Sequence, residues 1–287
     1  MALCAAGRPL QNTRNALGRF FKQSSAFSSN TSNPQEEEIR QKLRQFSGGS
    51  IDLQKQESGI AVMTVNNPAL MNAFSGSMMI ELEERVSELE TWTEGKGLIV
   101  KGSAGTFCSG SDLNAVRATS KPEFRLPLIS VALVEGKALG GGAELTTACD
   151  FRLMTSDAVI QFVHKHMGLV PGWGGAARLV QIVGSQNALQ LLAGAKKVDP
   201  QLGRQIGLVD EVLSLSLASE NSLMEAEKWL SQFTKGSAPV IRAVKKVVVS
   251  GRELPLEEAL RTEKDIFGTV WGGPANLEAL ARKTKHK

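Results

Sequence analysis

Three consecutive glycines at residues 140–142 constrain the fold of this chain more than any other feature. An apolar run at 127–134 precedes them and is typical of a buried strand, and residues 143–149 indicate a short buried helix. Glycine lets a ligand approach the backbone closely, and the first N–H groups of a helix lack internal partners at the positive end of its dipole. The stretch ALGGGAELTTACD at 138–150 therefore predicts an anion-binding junction, which we interpret as half of an oxyanion hole.

The composition is that of a globular protein. With 287 residues, of which 42% are hydrophobic, the chain can bury a full core, and no apolar run reaches the roughly 18 residues of a membrane span. The three cysteines, Cys4, Cys108 and Cys149, are an odd number and lack metal-like spacing, so we expect neither a disulfide framework nor a zinc site. This usage is typical of a protein in a reducing compartment. The net charge of +4 suits a polyphosphate ligand as well as nucleic acid.

The first 34 residues contain no acidic residue and are rich in Ser and Asn. They carry the basic residues Arg8, Arg14, Arg19 and Lys22. This composition is typical of a mitochondrial transit peptide, and equally of a flexible basic tail. Both interpretations stay open at this point.

Strand and helix patterns alternate up to about residue 213, and only helical patterns follow. The alternation begins with a hairpin that turns at Gly59, and continues with a helix capped by Ser75 or Ser77. We predict an α/β core with a helical C-terminal extension. The predicted segments are a basic, flexible N-terminal segment (1–47), the α/β core (48–215) and the C-terminal helical region (216–287).

Four motifs, in this order and spacing, resemble the crotonase, or enoyl-CoA hydratase/isomerase, superfamily over about residues 50–285. They are FCSGSDL (107–113), ALGGGAE (138–144), ACDFRL (148–153) and VPGWGGAARL (170–179). The resemblance implies an α/β spiral of β-β-α units whose C-terminal helices pack into homotrimers or dimers of trimers. It implies an acyl-CoA thioester as the ligand. Because CoA is part of that substrate, we expect no separate cofactor and no metal, and we expect neither a membrane nor a nucleic-acid partner.

The resemblance also assigns the substrate site, residue by residue. The backbone amides of Ser111 and Gly141 are the expected donors to the thioester oxygen. Ala73 and the glycines Gly110 and Gly140 are expected beside the bound acyl group. Trp173 is expected either to wall the acyl pocket or simply to pack in the core.

Hydratases of the superfamily use two glutamates, whereas this chain has Glu144 at the first position and His166 at the second. Water addition needs an acid and a base on one substrate face, so the replacement disfavours hydration. Decarboxylation of a malonyl-type thioester needs mainly the oxyanion hole and an apolar pocket. A closer resemblance within the superfamily, carried by GGSIDL (48–53), NAFSG (72–76) and TVWGGPANLEA (269–279), implies conversion of ethylmalonyl-CoA to butyryl-CoA, with methylmalonyl-CoA a poorer substrate. Hydration or isomerisation in fatty-acid oxidation, and a non-catalytic or RNA-binding role, are the alternatives.

Individual side chains have competing interpretations. Glu144 is either the proton donor to the enolate, or a group that orients the acyl chain, or a carboxylate held at a helix N-terminus. His164 is either a cation facing the substrate carboxylate or a solvated loop histidine. Cys108 has no neighbouring base in its motif and is expected to be a small buried hydrophobe. The basic residues Lys245, Lys246 and Arg252 either approach the CoA phosphates, as the resemblance implies, or form a solvated helix face.

Two departures from the superfamily pattern stand out. The segment between Asp112 and Leu126 is shorter by about fifteen residues than the resemblance implies, and Lys137 replaces an apolar tryptophan. A shorter segment would leave the acyl pocket more open. The resemblance favours the cytosol, and the N-terminal composition keeps the mitochondrial matrix as the alternative.

Overall fold

The structure is a computed structural model that describes residues 34–111, 126–213 and 219–284. All contacts discussed below lie within Ile39–Lys287, the larger of two units. The elements are α1 (Pro34–Arg44), β1 (Ser50–Lys55), β2 (Ile60–Asn66), α2 (Gly76–Thr91), β3 (Gly97–Gly102), β4 (Ile129–Val134), β5 (Lys137–Leu139), α3 (Gly141–Ala148), β6 (Phe151–Thr155), β7 (Val159–Gln161), α4 (Gly175–Gly194), α5 (Pro200–Gln205), β8 (Glu211–Leu213), α6 (Ser219–Ser231), α7 (Ala238–Glu253), α8 (Leu256–Val270) and α9 (Pro274–Thr284).

Six strands form one sheet in the order β1-β2-β3-β4-β6-β8, and β5 pairs with β7 in a second, two-stranded sheet. Only β1 and β2 pair antiparallel, through the predicted hairpin at Gly59, whose φ of 82° places it in the left-handed region. The other strand pairs are parallel. Strands β3 and β4 are buried on both faces, as their runs of aliphatic residues predict for a parallel sheet.

The large sheet separates two hydrophobic clusters. The larger cluster lies between the sheet and helices α2, α3 and α4, and it includes Phe74, Phe107 and Phe162. The smaller cluster contains Ile99 and Leu230, and it packs α6 against the other side of the strands. The loops that leave β3 and β4 at their C-terminal ends therefore emerge beside α3, where parallel α/β sheets commonly bind ligands.

The C-terminal helices bury few of their apolar side chains. Helix α7 has no fully buried residue, and α8 buries only Ala259 and Ile266. Large apolar side chains are exposed along α7, α8 and α9, namely Val244, Val248, Leu256, Leu260, Phe267, Trp271, Leu277 and Leu280. An apolar surface of this kind commonly marks a protein interface.

The predicted α/β class with a helical C-terminal part is confirmed, with local corrections. Of the two predicted caps, Ser75 is the one that accepts from Met78 N, at 3.2 Å. Strand β8 begins only at Glu211, because the amides of Leu208 and Val209 bond back to the carbonyl of Gly203. The division at residues 47 and 215 stays a prediction.

Candidate active site

The glycine triplet forms the junction between β5 and α3, and each glycine meets a different requirement. Gly140 has a backbone φ of 52°, a value that residues other than glycine rarely adopt. A Cβ at Gly141 would lie 3.0 Å from the Trp173 ring, and one at Gly142 would lie 2.1 Å from the carbonyl oxygen of Cys108. The start of α3 is therefore pressed between the loop after β3 and the segment that carries Trp173.

The loop after β3 brings the second predicted donor to the same place. Gly110 has a φ of 108°, and a Cβ there would lie 3.3 Å from the Gly141 nitrogen. Its carbonyl oxygen accepts from Phe74 N at 2.8 Å, in a parallel bridge between Phe74 and Ser111. Within the described residues, neither the Ser111 amide nor the Gly141 amide donates a hydrogen bond. Two unpartnered N–H groups on adjoining loops are what an oxyanion hole requires.

Apolar and backbone groups surround this point. The Trp173 ring packs edge-on against Phe74 with centroids 5.8 Å apart, so Trp173 is in contact with both Phe74 and Gly141. Ala73 is half-buried beside Phe74, and its carbonyl accepts from Asn67 Nδ2 at 2.8 Å. The arrangement gives the region in front of the two amides an apolar wall.

Sequence reasoning missed two asparagines that hold these loops together. Asn72 is fully buried at a φ of 57°, and its Nδ2 donates to the carbonyls of Ser103 and Thr106. Asn67 anchors the other end of the same turn. Asparagine tolerates positive φ and bonds to nearby backbone, so the sequence NNPALMN (66–72) carried a signal for this brace.

Glu144 is the most heavily hydrogen-bonded side chain of the site. One turn into α3 and 2% exposed, it accepts from the amides of Trp173 at 2.8 Å, Gly175 at 2.9 Å and Gly172 at 3.2 Å, and from His164 Nε2 at 2.8 Å. Burial raises the pKa of Glu144, but the hydrogen bonds from His164, Gly175 and Trp173 together outweigh it, so the pKa lies below its ordinary value. This geometry favours a carboxylate held ionised over a proton donor.

His164, and not His166, is the histidine at this carboxylate. The His164 side chain is only 12% exposed, so the interpretation as a solvated loop residue is wrong. Its Nδ1 atom is buried without a hydrogen-bond partner in the described part of the chain. His166 is exposed, because a 3-10 turn at His164–Met167 directs consecutive side chains to different sides.

The buried cysteines are chemically quiet. Cys108 is fully buried, and burial raises the pKa of its thiol to about 12, which confirms the prediction of a small buried hydrophobe. Burial likewise raises the pKa of Cys149 to about 12. Among the described residues, no group of three or more His, Cys, Asp or Glu is placed to hold a metal ion.

The basic residues of α7 lie at the opposite end of α3 from Gly141. Lys245 is paired with Asp150, the residue that precedes β6. Lys246 and Arg252 line a cavity of about 650 Å³ whose walls also include Leu145. Lys246 makes no ion pair within the described part of the chain, so a positive charge faces this cavity. Lys137 is exposed on β5.

The sequence profile of the enoyl-CoA hydratase/isomerase family matches residues 55–272. The chain belongs to this family. An ethylmalonyl-CoA decarboxylase of Danio rerio is 67% identical over 296 aligned positions, covering 97% of each chain. The human protein of that name is 59% identical, covering 87% of this chain and 86% of its own. The crystal structure of enoyl-CoA hydratase from Mycobacterium tuberculosis matches 83% of this chain and 96% of its own, with a TM-score of 0.73 and 22% identity, which confirms the crotonase fold.

These family alignments also show that this chain is shorter than its relatives. The alignment with the human decarboxylase runs over 266 positions, but 87% of 287 residues is about 250 residues. About 16 positions of that relative therefore have no counterpart here. This is the size of the shortening expected between Asp112 and Leu126, a segment that lies outside the described residues. The structure describes no helix long and apolar enough to span a membrane.

Proposed function

We propose that this chain is an ethylmalonyl-CoA decarboxylase, which converts ethylmalonyl-CoA to butyryl-CoA and CO2 and acts less well on methylmalonyl-CoA. The observation that carries the proposal is the pair of unpartnered amides at Ser111 and Gly141 beside an apolar wall. Relatives named ethylmalonyl-CoA decarboxylase, at 59–67% identity, support the substrate. Such a reaction would remove a side product of metabolism.

The chemistry follows from where charge develops. When the C–CO2 bond breaks, its electron pair moves toward the thioester, and the negative charge appears on the thioester oxygen. Fixed N–H donors at that oxygen stabilise the transition state, and each one typically contributes about 2.7–4 kcal/mol. The wall formed by Phe74 and Trp173 excludes water from the departing carboxylate and so favours its loss as neutral CO2.

Hydration of an enoyl-CoA is the second candidate, and Glu144 is the observation in its favour. Hydration needs one group to activate water and another to protonate the substrate. In this structure the Glu144 carboxylate accepts four hydrogen bonds, one of them from His164. His166, which the sequence places where hydratases have a second glutamate, is exposed. We therefore place hydration below decarboxylation, and a non-catalytic or RNA-binding role below both.

The remaining expectations concern partners. We propose an acyl-CoA thioester as the ligand, no separate cofactor, and a homotrimer or dimer of trimers formed through the exposed apolar surface of α7, α8 and α9. Lys246 and Arg252 are candidates to meet the CoA phosphates, since they line a cavity within reach of α3. We propose the cytosol as the location, with the mitochondrial matrix as the alternative.

Three assays on the purified chain test this ranking. The proposal predicts CO2 release from ethylmalonyl-CoA, faster than from methylmalonyl-CoA. It also predicts that hydration of crotonyl-CoA is slower than decarboxylation. Faster hydration would transfer the assignment to the hydratases, and salt-sensitive RNA binding without affinity for any acyl-CoA would support the third role.

A further inference from the structure

The Nδ1 atom of His164 is a buried polar atom without a partner in the described residues. Leaving a buried polar group unsatisfied destabilises the fold, so a chain retains one only where something else compensates. The side chain is otherwise well fixed, since its Nε2 lies 2.8 Å from Glu144 Oε1. The ring thus has one nitrogen committed to the protein and one nitrogen left over.

The state of Glu144 determines which nitrogen of His164 is committed. An ionised carboxylate only accepts hydrogen bonds, so His164 Nε2 must carry a hydrogen. Three backbone amides donate to the other lone pairs of the carboxylate, so no lone pair is left to bind a proton. Proton exchange at this pair is therefore confined to Nδ1 of His164.

The pair lies beside the two unpartnered amides. Glu144 follows Gly141 by three residues and so shares its side of α3. The neighbour of His164 in the chain, Val163, has its Cγ2 atom 3.5 Å from where a Gly140 Cβ would be. Trp173, which packs on Gly141, donates its amide to the same Glu144 carboxylate. These contacts tie His164 to the start of α3, where the acyl group is expected.

We propose that His164 is the catalytic acid that protonates the α-carbon of the enolate, from Nδ1. The inference rests on the proposed function. Loss of CO2 leaves the electron pair of the broken C–C bond in the thioester enolate. The enolate then reforms its C=O bond while the α-carbon takes the proton from Nδ1–H. His164 is left neutral, with a hydrogen on Nε2 only, and must take up a proton before the next turnover, so the reaction consumes one H⁺ for each CO2 released.

Glu144 is a positioning residue in this scheme. Its carboxylate holds the Nε2–H of His164, fixes the ring orientation and stabilises the imidazolium before the proton is transferred. The same carboxylate fixes the loop that carries Trp173. One buried side chain therefore aligns both the acid and the apolar wall.

The test is decarboxylation of ethylmalonyl-CoA in D2O by the full chain and by His164→Gln, whose amide N–H preserves the contact with Glu144. The product is butyryl-CoA with one deuterium at the α-carbon, and its configuration is read by NMR of a chiral ester of the butyrate. The wild type is expected to give one configuration. His164→Gln is expected to give a mixture with kcat lower by about 100-fold and KM little changed, because solvent then delivers the deuteron.

Two controls separate the outcomes. His166→Gln changes the exposed histidine two residues along and is expected to leave the rate and the product configuration unchanged. If thermal denaturation shows that His164→Gln is not folded, His164→Asn replaces it. A wild-type mixture, or a single configuration from the His164 variant at any rate, overturns the assignment of the acid. Absence of CO2 release by the wild type instead overturns the proposed function.

Discussion

Two carboxylates, the buried Glu144 in the first turn of α3 and the half-buried Asp150 just beyond its end, each accept hydrogen bonds from backbone and from one basic side chain. Asp150 accepts from the amide and hydroxyl of Ser130 at 2.8 and 3.0 Å and pairs with Lys245. Glu144 accepts from three amides and pairs with His164. Glu144 thus accepts four hydrogen bonds and Asp150 accepts three.

The two networks differ in whether the basic partner has a second polar atom that is free of the carboxylate. Lys245 ties α7 to the start of β6 through its ammonium nitrogen, the one polar atom of that side chain. His164 spends one ring nitrogen on Glu144 and keeps a second, buried and unpartnered. Burial and hydrogen bonding of a carboxylate are therefore common to structural and chemical roles, and the unused nitrogen marks the chemical one.

The largest contrast is expected from Glu144→Gln and Asp150→Asn. An amide at position 144 turns one acceptor into a donor facing backbone N–H groups, so we expect a loss of about 3 kcal/mol in unfolding free energy and about 100-fold in kcat. Asp150→Asn keeps an acceptor for Ser130, so we expect the free energy of unfolding to fall by about 1 kcal/mol and kcat to change little. Urea unfolding and CO2 release measure both, with KM separating binding from chemistry.

The configuration of the deuterated product tests whether Glu144 positions His164. In D2O, Glu144→Gln is expected to lower the configurational purity of the deuterated product, because the His164 ring is no longer fixed. A purely structural carboxylate would lower stability and rate but leave one product configuration. Equal effects of Glu144→Gln and Asp150→Asn on kcat and on product configuration would mean that the two carboxylates have the same role.

The second expectation is a pH dependence at the Glu144 end. The native pKa of Glu144 is lowered, so its contribution to stability is fully present above the unfolded value near 4.5 and is lost as pH falls through the native pKa. The difference in unfolding free energy between wild type and Glu144→Gln should therefore be largest near neutral pH and shrink below pH 4.5. Urea titrations at a series of pH values measure it; a constant difference would mean that the pKa of Glu144 is the same in the native and unfolded states.

A smaller effect is expected at the cavity end of α3. Lys246→Glu reverses the charge that faces the cavity, so if the CoA phosphates bind there, KM should rise about tenfold with kcat unchanged. Lys196→Glu, at an exposed position after α4, is the matched control for the net charge. Equal KM values for the two variants would assign the CoA phosphates to another surface.

The smallest effect is expected at the cysteines. Since burial raises the pKa values of Cys108 and Cys149 to about 12, both are thiols at pH 7.5. Iodoacetamide should therefore leave both unmodified over hours in the folded chain, as read by peptide mass spectrometry. Rapid labelling of Cys149 alone would show that the end of α3 opens readily.

The sequence predicted the parts of the site that a single backbone segment determines. The glycine triplet is such a part, because close approach and positive φ are local demands that only glycine meets at 140–142. The hairpin at Gly59 and the cap at Ser75 are others.

Features that depend on packing between distant segments were not predictable. Glu144 meets Gly172 and Trp173 across about 28 residues, so its ionised state depends on a loop position that no local pattern determines. The choice of His164 over His166 depends on the 3-10 turn that ends at Gly168, with a φ of 66°. Arg178 lies in the VPGWGGAARL motif, but no local pattern showed that it donates to the Trp173 carbonyl, at 2.7 Å.

A comparison of Gly141→Pro with Gly141→Ala shows whether two backbone amides hold the enolate. Both variants place a Cβ against the Trp173 ring, but only proline removes the N–H, and proline is well tolerated at the first residue of a helix. We expect Gly141→Pro to release CO2 from ethylmalonyl-CoA about 100–1,000-fold more slowly than Gly141→Ala. Equal rates for the two variants would contradict it.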